Sequence, residues 1–142
     1  MLVRCLYASR AVEDFAANTL DSILEQSCRN NPDRGITGML CFADGIFVQV
    51  LEGGRDEVCD LLGAIVRDQR HRGLRLLSYD EIAERRFGGW AMGRVNMEHI
   101  NPALLLKYSA KAALNPFASS GQATLALLTE LVATGAILGR TK

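Results

Sequence analysis

A glutamine interrupts an otherwise apolar run, Ile46-Phe47-Val48-Gln49-Val50-Leu51. Its amide carries an acceptor at one end and a donor at the other, so turning it exchanges what it offers a partner. Left unsatisfied inside a core, such an amide costs on the order of 1–3 kcal/mol, so it needs partners. The alternative is an amide on a solvent-facing edge. A second polar group, the Tyr7 phenol, sits in the short run Val3-Arg4-Cys5-Leu6-Tyr7-Ala8-Ser9. A strand tyrosine alone is usually core packing with its hydroxyl at the rim. Facing Gln49 across adjacent strands, it would form a hydrogen-bonding unit.

Two polar clusters close two helical patterns. Asn30-Asn31 ends the first, and Asp68-Gln69-Arg70-His71 ends the second. Taken singly, the first is a helix stop and the second a solvated charge cluster. Taken together, they could frame one cleft. Trp90 and Met92 stand two apart on a strand-like segment and so point to one side, more often as core than as ligand contacts. The groups Arg70/Arg72/Arg75 and Arg85-Arg86 read as surface. There is no paired-carboxylate signature, nucleophile elbow, P-loop or GxGxxG, so no catalytic constellation emerges. Cys5, Cys28, Cys41 and Cys59 lie at wide, irregular spacings, and neither His71 nor His99 is near one in sequence. They read as small buried hydrophobes rather than metal ligands or disulfide partners.

These residues need elements to hold them. Val3 to Ser9 reads as a first strand. Leu20, Ile23, Leu24 and Cys28 recur at helical spacing, with the helix expected to end at Asn30-Asn31-Pro32 because proline disfavours helical geometry before it. Ile36–Phe42 and Ile46–Glu52 are strand-length apolar runs joined by Ala43-Asp44-Gly45, a hairpin signal. Val58, Leu61, Leu62 and Ile65 mark a second helix, with Asp56 and Glu57 in its first turn where the dipole favours them. Leu74–Ile82 reads as a fourth strand and Trp90–Val95 as a short fifth. The order β-α-β-β-α-β-β predicts an α+β, ferredoxin-like sheet: a helical crossover makes strands one and two parallel, and strand three fills the slot between them. Tyr7 then faces Gln49, and both helices lie on one face, where a flat ligand can slide between them.

The 142 residues suit one domain, and 16 basic residues against 16 acidic ones leave no field for nucleic acid or an anionic membrane. An RNA-binding module of this topology would carry several sheet aromatics and a basic surface. An acyl phosphatase would need an anion-binding loop after strand one, and Ala8-Ser9-Arg10-Ala11-Val12 has no glycine. The stretch from Thr124 to Leu138 is too short and too polar to span a bilayer. The start of the chain, reaching Glu13 and Asp14, has no signal-peptide core. The reading is cytoplasmic. Through position 100 the balance is twelve arginines against fifteen acids; beyond it Lys107, Lys111, Arg140 and Lys142 face Glu130 alone. This shift marks a main unit followed by an appendage of different character, with residues 101–142 expected as two helices on the far face of the sheet. Leu125, Leu128, Leu131, Val132 and Leu138 form its apolar stripe, with Glu130 and Thr134 away from it.

Tyr7, Asn30-Asn31 followed by GITGMLCF, then FVQVLEG, RDQRH and RRFGGWAM together resemble the BLUF domain, a flavin-binding blue-light sensor, over positions 2 to about 97. The remainder resembles the short stand-alone BLUF proteins. LLLKYSAKAALNPF is similar to the linker of the cyanobacterial PixD type, which forms dimers and larger rings. The resemblance implies a non-covalently bound FAD, with FMN the alternative, and signalling to a separate protein rather than catalysis. It implies Tyr7 as electron donor to the excited flavin and Gln49 as the amide bonding both Tyr7 and the ring. Asn31, with Asn30, would hold the pyrimidine edge and Arg70 the other carbonyl. Ile23 and Ile65 would sandwich the ring, and Asp68 and His71 would lie near the ribityl chain and phosphates. Trp90 and Met92 would be a mobile pair passing the signal on, with Ser9 supporting Trp90. The rival readings are a cofactor-free interaction module and, less favoured, a small acyl phosphatase.

Overall fold

The computed structural model describes residues 1–12, 17–97, 100–134 and 137–138; Glu13, Asp14, His99, Arg140 and Lys142 fall outside them, as does the side chain of Leu138. Asp44 and Gly45 both take positive φ, 52° and 75°. They close a tight hairpin between β2 (Thr37–Ala43) and β3 (Ile46–Gly54), with Ala43 opposite Ile46. Two consecutive left-handed residues match the twist of the flanking strands. β1 (Leu2–Ala11) pairs antiparallel with β3 and puts Tyr7 directly opposite Gln49. β4 (His71–Ile82) covers the other edge of β1. β5 (Gly93–Val95) runs parallel to β2, and the two-residue β6 (Ile137–Leu138) adds to β5. The order β4-β1-β3-β2-β5-β6 contains the expected ferredoxin-like core, with β3 central, and one short strand beyond it.

Alternation along β1, β2 and β3 divides the apolar side chains between two cores. Val3, Cys5, Leu40, Phe47 and Leu51 pack under α1 (Ala17–Arg34) and α2 (Arg55–Arg67). Leu6, Met39, Cys41, Val48 and Val50 face the other way, against α3 (Pro102–Tyr108) and α4 (Gly121–Ala133). The far face is therefore covered by the tail, as expected. Leu128 and Leu131 are fully buried, and Leu125 and Val132 pack at the margin. Thr134 is exposed, whereas Glu130 is half-buried and paired with Lys107 at 2.6 Å. Asn101 and Ser120 cap the two tail helices, each side chain accepting a backbone N–H. At Gly121 a Cβ would come within 2.4 Å of the Leu77 carbonyl, so α4 starts hard against β4.

Several details correct the sequence reading. α1 continues through Asn30, Asn31 and Pro32 to Arg34. Gly35, at φ 65°, ends it instead: Gly35 N–H donates to the Pro32 carbonyl at 3.1 Å and Ile36 N–H to the Asn31 carbonyl at 3.0 Å. This is the paired closure of a glycine-terminated helix, with buried Ile36 as its apolar anchor. The fifth strand starts only at Gly93. The Trp90 carbonyl accepts from Gly38 N–H at 3.0 Å and the Ala91 carbonyl from Asn31 Nδ2 at 2.8 Å. Trp90 and Met92 thus precede the strand on an irregular strap, and they point to opposite faces: Trp90 joins the far core, Met92 the near one.

Arg85 and Arg86 are not merely surface. The Arg85 guanidinium donates to the carbonyls of Gly35 and Glu52 and to Thr37 Oγ1. The N–H groups of Arg86 and Phe87 donate to the buried Glu52 carboxylate. Of the four cysteines, Cys5 and Cys41 are buried as expected, Cys28 is half-buried, and Cys59 is exposed.

Burial pushes the Cys41 thiol up to about 12, and burial aided by nearby Cys59 pushes Cys5 up to about 11. The thiolate is the reactive form. Both shifts are upward from an ordinary value of 9.0, so the stability they contribute is complete at neutral pH and fades as pH climbs through 9 toward 11–12. At pH 8 a thiol-alkylating reagent should label Cys59 first and leave Cys5 and Cys41 untouched until unfolding. Peptide mapping by mass spectrometry checks this; labelling of Cys41 as fast as Cys59 would contradict the packing.

Candidate functional site

The near-face helices stand apart over the middle of the sheet. Between them opens a cleft of about 910 Å³, its solvent-facing mouth included. Ile23 from α1 and Ile65 from α2 face it from opposite sides, with Leu61 and Ala64 beside Ile65. Leu40, Phe47, Tyr7 and Gln49 supply the floor from three adjacent strands. The rim is polar: Asn30, Asn31 and Arg34 at the end of α1, and Asp68, Arg70 and His71 after α2. Both helix ends frame one cleft, as the sequence suggested.

On the floor, Tyr7 and Gln49 are buried and hydrogen-bonded, the phenol O–H donating to Gln49 Oε1. At the other end of the amide, Nε2 donates to the Met92 sulfur at 3.3 Å. A thioether only accepts, weakly, whereas a phenol can donate or accept. The nitrogen end therefore belongs on Met92 and the oxygen end on Tyr7. Burial, with smaller contributions from Cys5 and Asp68, pushes the Tyr7 phenol far above the usual tyrosine range, so it remains an O–H donor. Asn31, 2% exposed, spends Nδ2 on the Ala91 carbonyl and so ties the end of α1 to the strap carrying Met92.

At the opposite rim Asp68 and Arg70 form a tight local pair. Arg70 Nε and Nη2 donate to the carboxylate at 2.5–3.0 Å, and its backbone N–H adds a bond at 2.9 Å. The Arg70 guanidinium holds the Asp68 carboxyl below the usual carboxylate range. His71 Nδ1 lies 2.7 Å from Ser9 Oγ, and Nε2 lies 2.5 Å from the Ile65 carbonyl.

The structure thus brings Tyr7, Ile23, Asn30, Asn31, Gln49, Ile65, Asp68, Arg70 and His71 to one cleft, with Met92 touching Gln49 on the same face of the sheet. Two expected placements differ. Trp90 packs on the far core, away from the cleft, and Ser9 bonds His71 on the near side. The sequence reading missed Gln26, Ser27, Arg34, Leu40, Phe47, Leu61 and Ala64 as lining residues. Ile23, Ser27, Asn30 and Arg34 follow helical spacing and form one stripe, a signal that was present. Leu40 sits opposite Gln49 and Phe47 two residues before it, so both share its face by strand alternation.

Aliphatic walls for a flat ring, with amides and a guanidinium placed at its edges, are the donor set a flavin requires. The chain matches the family described as BLUF, sensors of blue-light using FAD, over residues 2–93. It belongs to that family, whose members sense blue light with a flavin. Along its whole length it is similar to BlsA in its photo-activated state: 31% identity, a TM-score of 0.84, and coverage of 100% of this chain and 99% of that one. It is 32% identical over 88 residues to the blue light- and temperature-regulated antirepressor BluF of Escherichia coli, a match covering 62% of this chain and 22% of that protein. It is 33% identical over 84 residues to the photoactivated adenylate cyclase subunit beta of Euglena gracilis, covering 59% of this chain and 10% of that protein. The chain thus spans only a tenth to about a fifth of these two curated relatives.

Asn31→Ala should weaken flavin retention roughly fivefold, the effect of one hydrogen bond, and free the Ala91 carbonyl. Titrating flavin into the apoprotein by fluorescence measures this; an unchanged dissociation constant would remove Asn31 from the binding set.

Proposed function

We propose that Tyr7 and Gln49 are the light-responsive pair of this sensor, with FAD held in the cleft and the change passed through the strap to the tail helices and a separate partner protein. The observation that carries this reading is the Tyr7–Gln49–Met92 chain of hydrogen bonds, buried on the cleft floor. A flavin held there would supply the absorption of blue light and an excited state able to take up an electron. Tyr7 would give that electron and pass its phenolic proton along its hydrogen bond to Gln49 Oε1, recovering both later, so no covalent bond is made. Its O–H points at Gln49 Oε1, and loss of that hydrogen removes what holds the amide in its resting orientation. Turned about, the amide presents Nε2 to Tyr7 and its oxygen to the Met92 sulfur, which has no hydrogen to give. The two orientations are unequal, and the resting one returns in the dark.

The family description supports FAD over FMN, which shares the same ring. Residues 1–97 act as the sensor and 98–142 as the output surface, a division supported by the far-face packing of α3 and α4. Likeness to BlsA in its photo-activated state, over 99% of that chain, supports a light-responsive receptor, and we read its output as passed to a separate protein rather than as catalysis of its own. No helix among the described residues is long and apolar enough to cross a membrane, and we place the protein in the cytoplasm.

Absorption spectra before and after blue light test the reading: the flavin band should move slightly to the red and recover in darkness. Gln49→Leu and Tyr7→Phe should each keep the flavin and lose the shift. A full photocycle in either variant would defeat the mechanism. Cutting the chain after Asn101 should uncover the far-face core and cause aggregation or a changed oligomeric state, with flavin still bound in what remains soluble. A truncated protein with unaltered solubility, assembly and partner binding would exclude the output role.

A further inference from the structure

His71 lines the cleft, yet both its ring nitrogens already have partners within the protein. Nε2 lies 2.5 Å from the Ile65 carbonyl, which can only accept, so Nε2 carries a hydrogen. Nδ1 lies 2.7 Å from Ser9 Oγ, so the Ser9 hydroxyl is placed to donate to it. No polar ring atom remains for a nucleotide phosphate. What the imidazole joins is informative. Ser9 is fully buried and lies two residues beyond Tyr7, where the register of β1 on β4 shifts between Ala8 and Arg10. Strand pairing is irregular there, and a side-chain anchor substitutes for it. The Ile65 carbonyl also accepts from Asp68 N–H at 3.1 Å, so it closes α2 and carries one wall of the cleft. The imidazole ring centroid stands 6.5 Å from that of Tyr7 and meets Phe47 edge-on at 6.2 Å, which confines it on the floor side.

We infer that His71 is a positioning residue: an Nε2-protonated strut between Ser9 and the Ile65 carbonyl that sets the spacing of the α2 wall from Tyr7, and not a ligand of the flavin phosphate. The inference rests on the cleft being the flavin site. The strut acts on the ring system common to all flavins. A phosphate ligand would instead distinguish phosphorylated flavins from riboflavin.

The test uses the full chain with His71→Phe, His71→Gln, Ser9→Ala and the His71→Phe/Ser9→Ala pair, each titrated with riboflavin and FMN and followed through dark recovery. His71→Phe should weaken riboflavin and FMN by the same factor, roughly tenfold, because a wall no longer held in place must be ordered when the common ring binds. It should change the dark-recovery rate by a similar factor. Ser9→Ala should have a smaller effect in the same direction, and the pair should match His71→Phe alone because both act through one contact. Nitrogen-15 spectra of the wild-type imidazole should place the hydrogen on Nε2, in the apoprotein as well. Selective loss of FMN affinity with riboflavin spared would make His71 a phosphate ligand and overturn the inference. So would multiplying effects of the two substitutions, an unchanged recovery rate, or a neutral ring protonated on Nδ1. If His71→Phe fails to fold, His71→Gln, Ser9→Ala and the nitrogen spectra decide alone. Failure of wild-type protein to bind riboflavin would count against the flavin reading itself, while the tautomer measurement would still judge the strut.

Discussion

The arrangement depends on one buried carboxylate. Glu52, fully enclosed on β3, accepts the Arg4 guanidinium at 2.7 Å and the backbone N–H groups of Arg86 and Phe87. The chain leaves β4 at one edge of the sheet and must re-enter beyond β2, near the other, and the connecting strap has no ladder to pair with on the way. Glu52 gives its first residues that pairing, and Arg85 adds three more bonds to Gly35, Thr37 and Glu52. Removing one partner from a buried charge costs about 3–5 kcal/mol, because the remainder is left desolvated and unpaired. The strap is therefore held firmly at its start, and everything after it, through Trp90, Ala91 and Met92, is delivered to a fixed place.

That delivery links the two faces of the sheet. Met92 comes to rest beside Gln49, while Trp90, two residues earlier, faces the core shared with α3 and α4. Ala91, between them, is bound to Asn31 at the mouth of the cleft. One short segment without regular structure touches the floor, the rim and the tail together. A strand in that place would have put Trp90 and Met92 on the same face and made no such connection.

Much of this was legible in the sequence, for identifiable reasons. The Asp44-Gly45 turn, the strand-length apolar runs on either side of it and the β-α-β order put β3 beside β1, and so Tyr7 opposite Gln49. The stripe of leucines in the tail pointed to a bare sheet face. What was not legible depends on contacts between distant residues. Pro32 signalled a helix end, but Gly35 and the buried Ile36 outweighed it. Trp90-Ala91-Met92 has strand composition, yet while the Trp90 carbonyl meets β2 at Gly38, the next one, of Ala91, is turned to the Asn31 side chain. Ser9 and His71 meet only because β4 folds back along β1, and nothing in their local surroundings announces the pairing. The role of Glu52 is equally silent, since an acid ending an apolar run reads as a strand terminus.

The position of β1 carries a consequence for how the molecule assembles. β1, which precedes the other described strands in the chain, lies inside the sheet, with Leu2 opposite Gly54 on one side and Ile82 on the other. It can complete neither pairing until those distant segments exist, so its exposed apolar edge must wait as the chain grows. The one sheet contact available early is the hairpin turned at Asp44-Gly45, which closes a short loop and loses little chain entropy. Topologies dominated by such late, non-local pairings fold slowly and expose unpaired strands on the way. Tyr7 thus lies on a strand whose docking is among the later events of folding.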